Sequence, residues 1–188
     1  MSSTSTTTTP TTTTQVADIA APTASLSLTS EPATDSLKST IAAEVKEYHF
    51  HLYFFQNNAR SRESAVAIRN KLTELIDQSY VTIVPQDVPG GVHADPIGPH
   101  VIGSFEVWCP IESFARTFSW FTLNRGKHSV LVHPLTKEQL LDHSTRAVWM
   151  GQSLPLDVEI FKQDVLDHYP LEHPEYELGY SAKDAIVA

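Results

Sequence analysis

The sequence predicts an α+β domain of the ferredoxin-like split β-α-β kind, a four-stranded antiparallel sheet carrying its helices on one face. Three observations lead there. Short segments alternate apolar and polar residues and are rich in aromatic or β-branched side chains, the pattern of strands. Two longer segments repeat apolar residues at helical spacing. The order of these segments is β-α-β-β-α-β.

Lys46 to Phe55 opens the series as an aromatic strand. Side chains alternate across a strand, so Tyr48, Phe50, Leu52 and Phe54 face one way and His49, His51, Tyr53 and Phe55 the other. Asn57 and Asn58 offer a turn or an N-cap. Ala65, Ile68, Leu72, Leu75 and Ile76 then make residues 59–78 an amphipathic helix. Val81 to Val84 reads as a short strand ended by Pro85. Residues 85–100 hold four prolines and three glycines and form a long loop, a length often reserved for lids or binding loops. Ile102 to Cys109 is the third strand, with Ser104, Glu106 and Trp108 on one face. Glu112 to Asn124 is the second helix, closed by Arg125-Gly126. Ser129 to His133 is the fourth strand. Thr136 to His143 begins with a Thr-x-x-Gln capping box and gives a short helix.

Composition divides the 188 residues into a disordered head at 1–40, a domain at 41–160 and a loosely packed acidic tail at 161–188. The head holds 21 Ser or Thr and almost no bulky apolar side chains, too little to offset its ordering entropy. It lacks the basic start and apolar stretch of a secretory signal, and the first arginine is Arg60, unlike a mitochondrial transit peptide. All three Trp and all eight Phe follow residue 40, enough for one core. No apolar window is long enough to span a membrane. A formal charge of −9 without a Lys/Arg cluster argues against nucleic acid as a partner. The single cysteine, Cys109, excludes an intrachain disulfide and a Cys-rich metal site, reads as a buried hydrophobe, and fits a reducing cytoplasm.

The nine histidines all follow residue 48, and several lie beside strand cores. Imidazole ligates transition metals and moves protons near neutral pH. His49 and His51 share a strand face, His133 ends the fourth strand, and Glu106 belongs to the strand expected beside the first. His49, His51 and Glu106 contain the parts of a 2-His-1-carboxylate set, the usual non-haem Fe(II) arrangement. His100 and His143 would add a ligand or a proton shuttle. Simpler readings stand beside these. An H-x-H pair on a strand is also a common surface pattern, and Glu106 also reads as a solvated edge charge. His93, His128, His168 and His173 read as surface residues. Arg116, Arg125 and Arg146 read as surface ion-pair residues, any one of which could instead hold a substrate carboxylate. Trp108, Trp120 and Trp149 read as core or rim.

Several motifs resemble the DOPA 4,5-dioxygenase family of fungi and bacteria: Tyr48-His-Phe-His-Leu-Tyr-Phe, Gly98-Pro-His-x-Ile-Gly-Ser-Phe-Glu-Val, Ser129-Val-Leu-Val-His-Pro-x-Thr, Asp142-His143-Ser and Ala147-Val-Trp-x-Gly. The resemblance covers roughly residues 46–156, with the motifs in order and spacing. It implies a ferredoxin-like fold, a homodimer, and extradiol cleavage of a catechol such as L-DOPA by O2 at Fe(II), giving seco-DOPA, a pigment precursor. The motifs carry over His49, His51, His100, Glu106, His133 and His143. With strand geometry added, His51 and His133 are expected to hold the metal with His49, and Glu106 is the alternative third ligand. His100 and His143 are expected to move protons, and Tyr53 to orient the catechol. Two other classes stay open: a non-catalytic dimeric binding module with the same fold, and a Zn hydrolase using the same histidines.

Overall fold

A computed structural model describes residues 44–161 and 165–183. The Ser/Thr-rich head expected at 1–40 lies outside the described residues. The architecture is α+β: one antiparallel sheet of five strands, with three α-helices. The elements in chain order are β1 (Glu47–Phe54), α1 (Ala59–Asp77), β2 (Val84–Pro85), β3 (Gly103–Pro110), α2 (Ile111–Asn124), β4 (Val130–Pro134), α3 (Gln139–Asp142) and β5 (Val148–Met150). The sheet order is β2-β3-β1-β4-β5, so β1 is central and flanked by β3 and β4. Among the described residues no helix is long and apolar enough to cross a membrane.

The parity of β1 sorts the molecule into two faces. Phe50, Leu52 and Phe54 join Phe105, Val107, Val130 and Val132 from the neighbouring strands in one buried cluster with Ala65 and Leu72 of α1 and Phe121 of α2. Each such side chain removes about 1.5–3 kcal/mol worth of apolar surface from water, so this face is the core. Asn58 caps α1, its side chain accepting from Ser61 N at 3.0 Å. The opposite face of β1 carries His49, His51 and Tyr53. Antiparallel pairing sets His49 between Trp108 and His133, and His51 between Glu106 and Leu131.

Four differences from the expected elements have physical causes. The sheet gains a fifth strand, β5, whose three residues are too few to show alternation; it pairs with β4 and sets Trp149 opposite Leu131. β2 lies at Val84–Pro85, later than expected, against Trp108 and Val107. Pro85 is tolerated there because β2 is an edge strand and needs ladder donors on one side only. The capping box does not form. Thr136 Oγ1 instead bonds the Asp142 carboxylate and accepts from Glu138 N, so α3 starts at Gln139 rather than Thr136. The tail, expected to pack loosely, is held at several points. Gly179 N donates to Glu112, Tyr180 N donates to Glu47 at 3.0 Å, and the Tyr180 hydroxyl donates to Leu135 O at 2.8 Å.

Candidate metal centre

Five histidines converge on the face of the sheet opposite the core. β1 supplies His49 and His51, and β4 supplies His133. The loop before β3 supplies His100, and the C-terminal end of α3 supplies His143. The His51 and His133 rings stack, 5.1 Å between centroids, with their Nε2 atoms 3.0 Å apart. The His133 and His143 rings are 4.0 Å apart, and those of His51 and His100 4.1 Å. One donor atom each from His49, His51 and His133 lie within 4.8 Å of one another, as do those of His51, His100 and His143, and those of His49, Glu106 and Glu172. These residues line a pocket of about 240 Å³ whose wall also includes Ser104, Gln139 and Phe161.

Backbone contacts fix two of the tautomers. His133 Nδ1 lies 2.9 Å from Pro134 O, and His143 Nδ1 lies 2.9 Å from Gln139 O. A carbonyl only accepts, so each Nδ1 carries the hydrogen and each neutral ring keeps its lone pair on Nε2. Burial, reinforced by the neighbouring imidazoles, holds the pKa of His51 and His133 far below the ordinary histidine value. Burial likewise lowers His143, and brings His100 down to about 4. This group is therefore neutral at pH 7, the form that ligates metal. His49 differs. Burial lowers its pKa, but the bond to Glu172 and the charges of Glu106, Glu172 and Glu47 outweigh that and raise it. Glu106 is raised, chiefly by burial.

The donor set fits a divalent transition metal. Two imidazole nitrogens bound to one ion at about 2.1 Å and at right angles would sit about 3.0 Å apart. The separation of the His51 and His133 Nε2 atoms matches that spacing, which is also the length of an N–H···N hydrogen bond. The two strands hold these nitrogens in place, and both rings line the pocket.

All seven residues singled out from the sequence meet here, though not in equal positions. Glu106 stands 3.6 Å from His49 and 3.7 Å from His51, close enough for charge but too long for a hydrogen bond. Tyr53 is not on the pocket wall; its hydroxyl pairs with His100 Nδ1 at 2.7 Å, so it reaches the site through that ring. Three histidines read as surface residues are placed otherwise. His93 lines the pocket and pairs with Gln86 at 2.6 Å. His128 is buried, its Nδ1 donating to Tyr53 O at 2.9 Å and its Nε2 pairing with Ser64. His173 lies edge-on to Trp108 at 5.0 Å. His168 is exposed, as expected. No arginine or lysine lines the pocket among the described residues: Arg116 and Arg125 bond backbone carbonyls, and Arg146 pairs with Glu138 and Asp142.

The reading from sequence alone misses Glu172. This tail carboxylate accepts from His49 Nε2 at 2.8 Å. The tail has no periodicity that would announce the contact. The one available signal is Glu47, a carboxylate on the histidine face of β1, which is buried and accepts from both Trp108 Nε1 and Tyr180 N.

The chain is 42% identical to the DOPA 4,5-dioxygenase of Amanita muscaria over 155 residues, which cover 82% of this chain and 66% of that protein. It thus spans slightly less than two thirds of that relative. It is 36% identical over 146 residues to an uncharacterized 21.2 kDa protein of Botryotinia fuckeliana, with 71% of each chain covered. Among solved structures it resembles a candidate dioxygenase from Nostoc punctiforme, with a TM-score of 0.54 and 30% identity over 66% of this chain and 96% of that one. Residues 48–160 match the Dopa 4,5-dioxygenase family, and the chain belongs to it.

Proposed function

We propose that this protein is an extradiol ring-cleaving dioxygenase that uses Fe(II) and O2 to open a catechol such as L-DOPA. The observation that carries the proposal is the buried histidine cluster, with His51 and His133 Nε2 3.0 Å apart and both rings lining a pocket. The relative in Amanita muscaria bears the name of that activity. In this reading His51 and His133 hold the iron with His49, and Glu106 is the alternative third ligand. Bound Fe(II) supplies open positions for the two catechol oxygens and O2, and the electron transfer that lets them react.

The remaining work falls to side chains. A catechol must shed phenolic protons to bind a metal. His143, fixed by Gln139 O with its Nε2 lone pair free, is placed to accept one. His100 is a second acceptor, provided its Nδ1–H is donated to the Tyr53 oxygen; burial keeps the Tyr53 hydroxyl protonated, so that phenol stays a neutral partner. Phe161, 4.6 Å from His143 between ring centroids, gives the pocket an apolar wall. Ring opening next to the two oxygens places both atoms of O2 in the product. With L-DOPA the product is seco-DOPA, which is yellow and cyclises to a pigment precursor.

The proposal includes a ferredoxin-like unit formed by β1 to β4 with α1 and α2, extended by β5. It also includes a homodimer and a cytoplasmic location. The strand order β2-β3-β1-β4 supports the first, and light scattering would report the second. The activity test is anaerobic loading of purified protein with Fe(II), followed by L-DOPA and O2. Oxygen uptake with a yellow product is expected. Metal binding without turnover of any catechol would refute the enzyme reading, and turnover under N2 would point to a hydrolase.

A further inference from the structure

We infer that Glu172, carried by the C-terminal strap, is a positioning residue for His49 and makes the tail part of the metal centre. The inference rests on the reading of the histidine cluster as a metal site. Glu172 lies outside residues 48–160, the stretch that matches the family, so the contact comes from a segment beyond that match.

The geometry is specific. Glu172 Oε2 is 2.8 Å from His49 Nε2, whereas Glu106 Oε1 is 3.6 Å away, so Glu172 is the group that takes the Nε2 hydrogen. A neutral imidazole donating from Nε2 keeps its lone pair on Nδ1. The bond therefore selects which nitrogen is free to ligate and resists rotation of the ring. It also makes the ring a stronger donor, the usual effect of a carboxylate behind a ligand histidine. His133 and His143 have backbone carbonyls in this role. Among the described residues His49 has only the tail.

The strap's anchors hold Glu172 in place. Downstream, Gly179 N and Tyr180 N donate to Glu112 and Glu47, and the Tyr180 hydroxyl donates to Leu135 O. Next to Glu172, His173 lies edge-on to Trp108, and Tyr176 stacks on the same indole at 6.1 Å. Trp108 is itself pinned by Nε1 to Glu47, and it faces His49 across the β1–β3 pair. The strap is thus registered against the residue beside the histidine it orients.

The test uses the full chain, stripped of metal and labelled with ¹⁵N-histidine, in wild-type, Glu172→Ala and Glu172→Gln forms. Two readouts are taken: the tautomer of His49 in the metal-free protein, and the affinity for Co(II) under anaerobic titration. At a pH where the His49 ring is neutral, wild type is expected to show the Nε2–H form. Glu172→Ala is expected to mix the tautomers and weaken Co(II) binding about 10- to 100-fold. Glu172→Gln, which keeps an acceptor oxygen but no charge, is expected to hold the tautomer and lose at least about threefold in affinity. In a His49→Ala background the Glu172→Ala effect should vanish, which a merely structural role of the strap would not produce. Should Glu172→Ala fail to fold, the Gln variant carries the test, and wild-type affinity there overturns the inference. Glu172→Ala within about twofold of wild type, with an unchanged tautomer, overturns it too. A wild-type protein that takes up no metal sinks the metal reading along with this inference; wild-type uptake with an indifferent Glu172→Ala sinks this inference alone.

Discussion

Gly179→Ala should release the C-terminal strap while leaving the sheet folded. Gly179 sits at φ +61°, and an added Cβ would lie 2.5 Å from Glu47 Cγ and 2.6 Å from Oε1. The left-handed conformation alone disfavours alanine by about 1–2 kcal/mol. Glu47 cannot swing aside, because it is buried and holds Trp108 Nε1 at 2.9 Å and Tyr180 N at 3.0 Å. The strap must move instead, which lengthens two backbone bonds to carboxylates, those of Gly179 and Tyr180. Bonds to charged groups contribute about 1.5–3 kcal/mol each, so losing part of both brings the sum to about 3–5 kcal/mol. At 1.4 kcal/mol per factor of ten, strap docking shifts by about 100-fold or more. Hydrogen exchange read by mass spectrometry should show faster exchange in residues 165–183 with β1 unchanged, and Trp108 fluorescence should change as His173 and Tyr176 leave its ring. Gly126→Ala is the reference: φ there is +59°, but nothing lies within 4 Å of the added Cβ, so only the backbone strain applies. If the two variants exchange alike across 165–183, the steric part of the reasoning is wrong.

Three further outcomes follow from the structure. Phe50→Ala should lower stability by about 3–5 kcal/mol in denaturant unfolding, since Phe50 is fully buried and stacks on Phe121 at 5.3 Å. His128→Ala should lower stability by about 1–3 kcal/mol, because Tyr53 O and Ser64 lose a buried partner, yet leave metal uptake intact; loss of metal would show that His128 belongs to the site. Cys109 should resist thiol reagents at pH 9 until the chain unfolds, because burial pushes its pKa from the ordinary 9.0 to about 12. The sign follows from proton binding. Between those values only the unfolded chain gives up the thiol proton, so Cys109 makes stability fall as pH rises above about 9. A Cys109→Ala variant with an unchanged alkaline slope would contradict this.

What the sequence disclosed tracks how each element is held. β1 was legible because its alternation runs through the whole strand, so the faces of His49, His51 and Tyr53 followed from parity. Glu106 and Trp108 followed in the same way from β3, and the order of elements set β1 beside β3. Where contacts are made by hydrogen bonds rather than by periodic apolar packing, the pattern gave no warning. Thr136 preferred the buried Asp142 carboxylate to the helix start. β5 is only three residues long. His128 looked like a turn residue, yet the turn folds its ring inward onto Tyr53 O. The strap is the extreme case. It docks through backbone N–H groups onto Glu47 and Glu112, a mode in which side-chain spacing carries almost no information.

The same parity makes the site and the core two sides of one register. His49 and His51 alternate with Phe50 and Leu52 on β1, His133 with Val132 on β4, and Glu106 with Val107 on β3. A slip of one residue in either pairing would turn these histidines into the core and Phe50 or Val132 into the pocket. Neutral imidazoles can be buried on their own face because His133 and His143 have backbone acceptors for their hydrogens. Against α1 and α2 they would meet mainly apolar side chains, and each unpaired ring nitrogen would cost about 1–3 kcal/mol. The apolar face therefore fixes the register, and the register fixes which nitrogens meet. A core substitution that loosened β1 against β4 would be felt first at the 3.0 Å approach of His51 and His133, before the fold as a whole gave way.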